Sequence, residues 1–557
     1  MIQLFDHQKR SLAHSRRLIA CGTAFLVVLM MASAGITLMH LSKGKAAEAA
    51  GSSKKPIAAS HVTVTSSSSP TATSTPSPAV VPVSKAWYFP EGKVGQGFTE
   101  YLTIENPDAT NDCNVTLYYI GSSGTPVTKS VTVPHASRFT ESVNADLNTP
   151  ASSTSYQTVS AVVTVNTTIS PNCAGVVAER PIYFTNFLGI SSGTDVLGAT
   201  HLATTFYFAD VPIGGSYVSY VTILNPASTT ATATALFSAG GKTVAKQTIQ
   251  IPATTRATVV SKNSGALQHA ALFVTTNSPV AVERPTYFNQ VSAGNAQTVS
   301  GAASVVGASA LQTDWLFAEG YTGPGFQEYL VLANFSSNAP VKANVILEFN
   351  NGHTETIPSI IAPQSQAFLD VNAALTKGLG TCDTTPCQPT PEVSAEVQGN
   401  GNFIAQRQMF FHYNHTINGI SLTASGGSDV IGASTPAVSA YSFAEGYTNQ
   451  GYNEWLTMQN PTANPETITW TVINEEGRAF TQTVSLVAHS RFTIDVTALV
   501  LQHLIQPNDT VAGYEVSMTV QSSGGSFLAE RPMYWNTGPE ETQGGSDVIG
   551  YSQGPIP

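Results

Sequence analysis

Apolar and polar positions alternate with a period of two along most of the chain. Thr116-Leu-Tyr-Tyr-Ile, Ser160-Ala-Val-Val-Thr-Val and Thr467-Ile-Thr-Trp-Thr-Val-Ile are short and rich in β-branched and aromatic residues. That is the pattern of strands with one face in a core. Gly121-Ser-Ser-Gly, Gly240-Gly241, Asn350-Asn-Gly and Glu476-Gly477 separate the runs as turns. Helical periodicity is nearly absent; Val496 to Leu504 offers one or two turns. The predicted class is all-β.

Two stretches depart from this pattern. Residues 18–41 carry no formal charge over 24 positions and follow Lys9, Arg10, Arg16 and Arg17. As a helix this run spans about 36 Å, enough for a hydrocarbon core of roughly 30 Å. It reads as a signal-anchor with 1–17 cytoplasmic. A cleaved signal peptide ending near Ala47-Glu48-Ala49 is the alternative, although the apolar run is longer than such a core needs. Residues 42–85 are then a Ser/Thr/Pro/Ala-rich stalk, too poor in apolar side chains to order itself. A single-pass cell-membrane protein with residues 42–557 outside is the expected topology.

The remainder repeats one unit four times, over 86–200, 201–310, 311–435 and 436–557. Each opens on an aromatic strand and an acid: Trp87-Tyr-Phe-Pro-Glu-Gly, Phe206-Tyr-Phe-Ala-Asp-Val, Trp315-Leu-Phe-Ala-Glu-Gly, Tyr441-Ser-Phe-Ala-Glu-Gly. A second strand follows, with Glu100, Ser219, Glu328 and Glu454 in one column and ending at Asn106, Asn225, Asn334 and Asn460. A later motif reads Ala178-Glu-Arg-Pro, Val282-Glu-Arg-Pro, Ala405-Gln-Arg-Gln and Ala529-Glu-Arg-Pro. The unit closes on Gly193-Thr-Asp-Val-Leu-Gly198, Gly427-Ser-Asp-Val-Ile-Gly432 and Gly545-Ser-Asp-Val-Ile-Gly550, with Gln297-Thr-Val-Ser-Gly301 as its degraded form in the second unit. About seven strands per unit predict immunoglobulin- or fibronectin-like β-sandwiches. A jelly roll is the alternative, and a four-bladed propeller is disfavoured because a blade needs only about 40 residues. Short joins between units predict an outward-facing rod on the order of 120–160 Å long.

Ala318 to Gly323, Glu328 to Leu330, Ala529 to Tyr534 and Gly544 to Gly550 resemble tandem repeats of bacterial exported surface proteins, a family of unknown function. The likeness covers 86–551 and implies fold and location only, with no activity to carry over.

Composition narrows the chemistry. Only 11% of residues are charged. Residues 1–55 hold eight Lys/Arg against two acids (+6), and 56–557 hold 16 against 33 (−17). An acidic body excludes a basic nucleic-acid-binding face. Cys113 and Cys173 fall in one unit, Cys382 and Cys387 in another, which suits two disulfides in an oxidising compartment. No cofactor or metal set emerges. Gly189-Ile-Ser-Ser-Gly193 lacks the following helix of a nucleophile elbow. His412 and His415 recur in no other unit and read as a loop pair. No catalysis is expected. The chain reads as a structural or interaction protein, its partners the membrane and a cell-wall glycan or another surface protein. A carbohydrate-binding array stacking sugars on Trp87, Trp315 and Trp455 is the alternative, with an extracellular hydrolase third.

One acidic column is filled in every unit, and each unit has one arginine in its later motif. An arginine between apolar neighbours on a strand needs a carboxylate partner if buried. The expected ion pairs lie within units: Glu91–Arg180, Asp210–Arg284, Glu319–Arg407 and Glu445–Arg531. A solvated, unpaired arginine is the alternative.

Overall fold

The computed structural model describes residues 81–552, except 123–124, 261–267, 295–296, 377–390, 418, 435–437, 507–508, 510–512 and 539–541. The apolar run 18–41, nearly all of the stalk, and Cys382 and Cys387 lie outside the described residues. Among the described residues no helix is long and apolar enough to cross a membrane. All of them belong to one compact unit, Ser74–Pro557.

Each repeat builds two sheets. In the first repeat one sheet runs, edge to edge, Ala86–Phe89, Ser160–Val165, Cys113–Ile120, Val127–Val133. The other runs Ile190–Thr194, Ile182–Phe187, Phe98–Asn106, Ser137–Ser142, with Val177–Glu179 also on Phe98–Asn106. The fourth repeat has the same two orders. In the second and third, one long strand, His269–Ser292 or Ser394–Ile417, passes from the first sheet into the second. Alternation aims every other side chain into a core shared by both sheets. In the first repeat Trp87 and Phe89 come from one sheet and Leu102, Ile104 and Val177 from the other. The opening aromatic also donates to a carbonyl: Trp87 Nε1 to Val176 O at 2.9 Å, Trp315 Nε1 to Phe403 O at 3.1 Å, Tyr441 Oη to Phe527 O at 3.0 Å. The one helix read from sequence forms over Val496–His503, with the Asp495 carboxylate accepting from Ala498 N at its start.

Two expectations are corrected. The unit has eight main strands, not seven, because the closing motif is itself a strand. Those four strands, Ile190–Thr194, Thr298–Val306, Ile420–Ile431 and Gln543–Ile549, lie side by side about one axis, each touching the next and the last touching the first. The repeats therefore close a ring in a propeller-like arrangement rather than extending as a rod. A unit of this ring is far longer than the roughly 40 residues of a one-sheet blade because each unit brings two sheets.

Glycine makes the axis possible. A Cβ on Gly426 would lie 3.0 Å from Gly544 Cα, and one on Gly301 3.3 Å from Gly426 Cα. Aromatic rings then cross the seams: Phe288 lies against Gly427 of the third repeat, Phe411 against Gly545 of the fourth, and Trp535 against Gly193 of the first.

Candidate functional site

The repeated charged residues converge on the seams between repeats. The arginines are fully buried, with Arg180, Arg284 and Arg531 0% exposed and Arg407 1%. Burial places each opposite a carboxylate of the next repeat. Arg180 forks onto Glu283, at 2.7 and 3.1 Å. Arg284 meets Asp429 at 2.5 Å. Arg407 meets Glu530 at 2.8 Å and also Asp547. Arg531 returns to the first repeat, meeting Glu179 at 2.8 Å and Asp195 at 2.5 Å. The expected in-repeat carboxylate contacts do not form. Arg180 and Arg407 touch Glu91 and Glu319 only by donating to their main-chain carbonyls.

The acids of the opening motif close a second ring. Glu91 takes Arg256 of the second repeat at 2.9 Å. Asp210 takes Gln366 of the third repeat at 2.9 Å and its own repeat's His269 at 2.8 Å. Glu319 takes Arg491 of the fourth repeat at 3.1 Å. Glu445 takes Arg138 of the first at 3.0 Å. The two rings share atoms: Glu283 accepts from Glu91 N at 3.0 Å, Glu530 from Ala318 N at 2.7 Å, and Glu179 from Ala444 N at 2.7 Å.

The second repeat's closing motif is corrected by register. Val305 pairs with Arg284 as Val430 pairs with Arg407 and Val548 with Arg531. Gly307 lies against Phe208 as Gly198, Gly432 and Gly550 lie against Phe89, Phe317 and Phe443. The motif is therefore Gly301-Ala-Ala-Ser-Val-Val-Gly307, and Ser304 stands in the aspartate column, donating to Glu283 at 2.6 Å.

Burial sets the protonation of these acids. Glu100, Glu328 and Glu454 are 0–1% exposed. Desolvation pushes each carboxyl up to about 8, against the pull of Arg180, Arg407 and Arg531 respectively. Glu445 is pushed up to about 7 by burial, with Arg138 opposing. Burial, reinforced by the acid beside each, holds Glu179 and Asp547 well above the carboxylate range despite the facing arginine.

Cys113 and Cys173 form a buried disulfide, Cα atoms 5.3 Å apart. Ser191 of the Gly-Ile-Ser-Ser-Gly run lies on a hairpin strand, accepting from Asn186 N. His412 bonds Ser425 at 2.8 Å, and His415 faces Asp495 of the fourth repeat at 3.3 Å. No group of three metal-ligating side chains occurs among the described residues. Trp87 and Trp315 are 0% exposed and cannot stack on a sugar; half-buried Trp455 donates to Tyr413 Oη. The repeated asparagine, noted in sequence only for its spacing, staples each unit. Asn106, Asn225, Asn334 and Asn460 donate across to Val133, Ile251, Ile361 and Val487 carbonyls at 2.9–3.1 Å.

One ring pair recurs at all four seams, Phe184–Tyr287 at 5.4 Å, Phe288–Phe410 at 5.2 Å, Phe411–Tyr534 at 4.9 Å and Trp535–Tyr183 at 5.5 Å, and at three of them an apolar residue of the hairpin adds to it. Phe184, Phe187 and Tyr287 fill the first seam, Phe288, Val291 and Phe410 the second, Phe411, Tyr413 and Tyr534 the third. The fourth seam, between the fourth and first repeats, has Thr537 in the hairpin instead, and beside it lies a cleft of about 1160 Å³ lined by the first and fourth repeats and by the third repeat's hairpin at Ile417 and Ile420 to Thr423.

No family model matches the chain, and no curated protein matches it. Thermotoga maritima 1070 is 14% identical, over 21% of this chain and 97% of its own, with a TM-score of 0.18. A tetra-tandem repeat from the extending region of a large adhesion protein is 10% identical over 80% and 93%, at 0.09. A family 32 glycoside hydrolase from Bifidobacterium adolescentis is 10% identical over 84% and 96%, at 0.11. Scores this low transfer neither fold nor function.

Proposed function

We propose that this chain is a membrane-tethered, outward-facing structural or interaction protein without catalysis, its four repeats each an immunoglobulin- or fibronectin-like sandwich. The observation that carries the reading is where the repeated charges go. The arginine common to all units meets an acid of the next repeat at every seam, so the repeated charges lock one repeat to the next instead of surrounding a reactive centre. The apolar run 18–41 and the stalk to residue 85 supply the tether, and the buried disulfide suits an oxidising exterior. The resemblance to exported surface-protein repeats supports the same placement. Protease added to intact cells should remove the repeats and spare an N-terminal tag. Full protection of the repeats would reverse the orientation.

A further inference from the structure

The four repeats are built alike, so the seam that departs from the others is informative. At the first seam Phe187 packs on Tyr287, ring centroids 4.8 Å apart. At the third, Tyr413 stacks on Tyr534 at 4.0 Å and 5° between planes. In both, the hairpin of one repeat covers the ring that follows the Glu-Arg-Pro motif of the next. At the fourth seam that ring is Tyr183 of the first repeat. The covering hairpin offers Asn536, Thr537 and Gly538 there, with no aromatic side chain among them. Tyr183 meets Trp535 edge-on at 5.5 Å and Tyr452 at 6.5 Å, and its hydroxyl is hydrogen-bonded to that of Tyr452.

Without an apolar residue from that hairpin, the cleft presents polar and aromatic groups together, with Ile417, Ile420 and Leu422 of the third repeat at its edge. Tyr101, Tyr183, Tyr447 and Tyr452 line the cleft, all half-buried. Arg138 and Glu445 form its floor at 1% and 7% side-chain exposure, and Arg138 also holds Glu515 at the margin. With both acids engaged by that arginine, the cleft does not present a bare charge to a cation or an anion. Tyrosine faces accept the apolar C–H face of a sugar ring, while hydroxyl, amide and carboxylate groups exchange hydrogen bonds with its hydroxyls. The volume exceeds the roughly 300–1,000 Å³ usual for a small ligand, so an oligomer suits it better than a single ring.

We infer that the fourth seam is a binding site for a neutral oligosaccharide, one site per chain rather than one per repeat. This deepens the interaction reading, and its test uses the purified full-length chain, so it does not depend on membrane topology. Titrate cellohexaose, maltohexaose and chitohexaose by calorimetry, with tetramethylammonium as the rival class. At least one hexasaccharide should bind with one-to-one stoichiometry. Tyr447→Ala should weaken it about tenfold or more. Thr537→Tyr, which restores to this hairpin the aromatic found at Tyr413, should abolish it while melting like the parent. If Tyr447→Ala or Thr537→Tyr proves unstable, Tyr101→Phe, which removes one hydroxyl and keeps the ring, should still weaken binding. Overturning results would be no binding of any hexasaccharide at millimolar concentration, a stoichiometry of four, tetramethylammonium binding in place of sugar, or affinity unchanged by all three substitutions.

Discussion

The seams flanking the second repeat differ from those flanking the fourth. Arg407 and Arg531 each face a glutamate and an aspartate, Glu530 with Asp547 and Glu179 with Asp195. Arg180 faces Glu283, with Ser304 where the aspartate would be. Arg284 faces Asp429, with Gln406 where the glutamate would be. Each substitution removes one acid from a pair and keeps a hydrogen-bonding group of similar reach. Gln406 still accepts from Asp210 N at 3.2 Å and donates to Asp429 at 2.9 Å, the bonds a protonated glutamic acid would make. The difference teaches that a buried arginine here requires one carboxylate, and that the second acid of a two-acid seam serves as a hydrogen-bonding group. The raised Glu179 and Asp547 agree.

The largest effect should come from removing the arginine. Arg531→Met strands two acids and should cost about 3–5 kcal/mol in chemical denaturation. Arg180→Met strands one and should cost less. In a double-mutant cycle, Arg531 should couple more strongly to Glu179 of the first repeat than to Glu445 of its own.

Next in size is a change that converts one seam type into the other. Gln406→Glu should give the second seam two acids, the new one with a raised pKa. Such a group stabilises fully below the ordinary glutamate value near 4.3, and that contribution is lost as pH rises through the folded value. The variant should therefore match the parent at pH 5 and melt lower at pH 9. Equal melting at both would break the comparison.

A smaller effect of the same sign attaches to the buried glutamates. Glu100, Glu328 and Glu454, raised to about 8, hold a proton in the folded chain that the unfolded chain gives up above its own lower pKa. Stability should fall from pH 5 to pH 9, and Glu100→Gln should flatten that fall. The second repeat, with Ser219 in this column and Val211 in place of the glycine, has no such group at that position.

Much of this was legible in the sequence, and the reason for the remainder is specific. Period-two alternation gave the strands, and the fixed distance from Phe89 to Asn106, repeated in each unit, gave the repeats. Repetition cannot say whether a column pairs within its own unit or with the next, because both choices have the same period. In the sequence Gln406 breaks the column of the Glu-Arg-Pro glutamate, and the closing aspartate column is broken in the second repeat when Gln297 to Gly301 stands for its motif. With Ser304 in the right place, the two columns fail in different repeats and never at the same seam. That complementarity was the available signal for seams shared between units. The open cleft was not legible, since it depends on a hairpin of one repeat covering a ring of another.

The central claim is that the four repeats close on themselves through these pairs, and small-angle X-ray scattering tests it directly. A chain starting at Ser74, where the compact unit begins, should give a radius of gyration of about 23 Å. A value of about 35 Å or more, as for a rod of roughly 120 Å, would contradict ring closure.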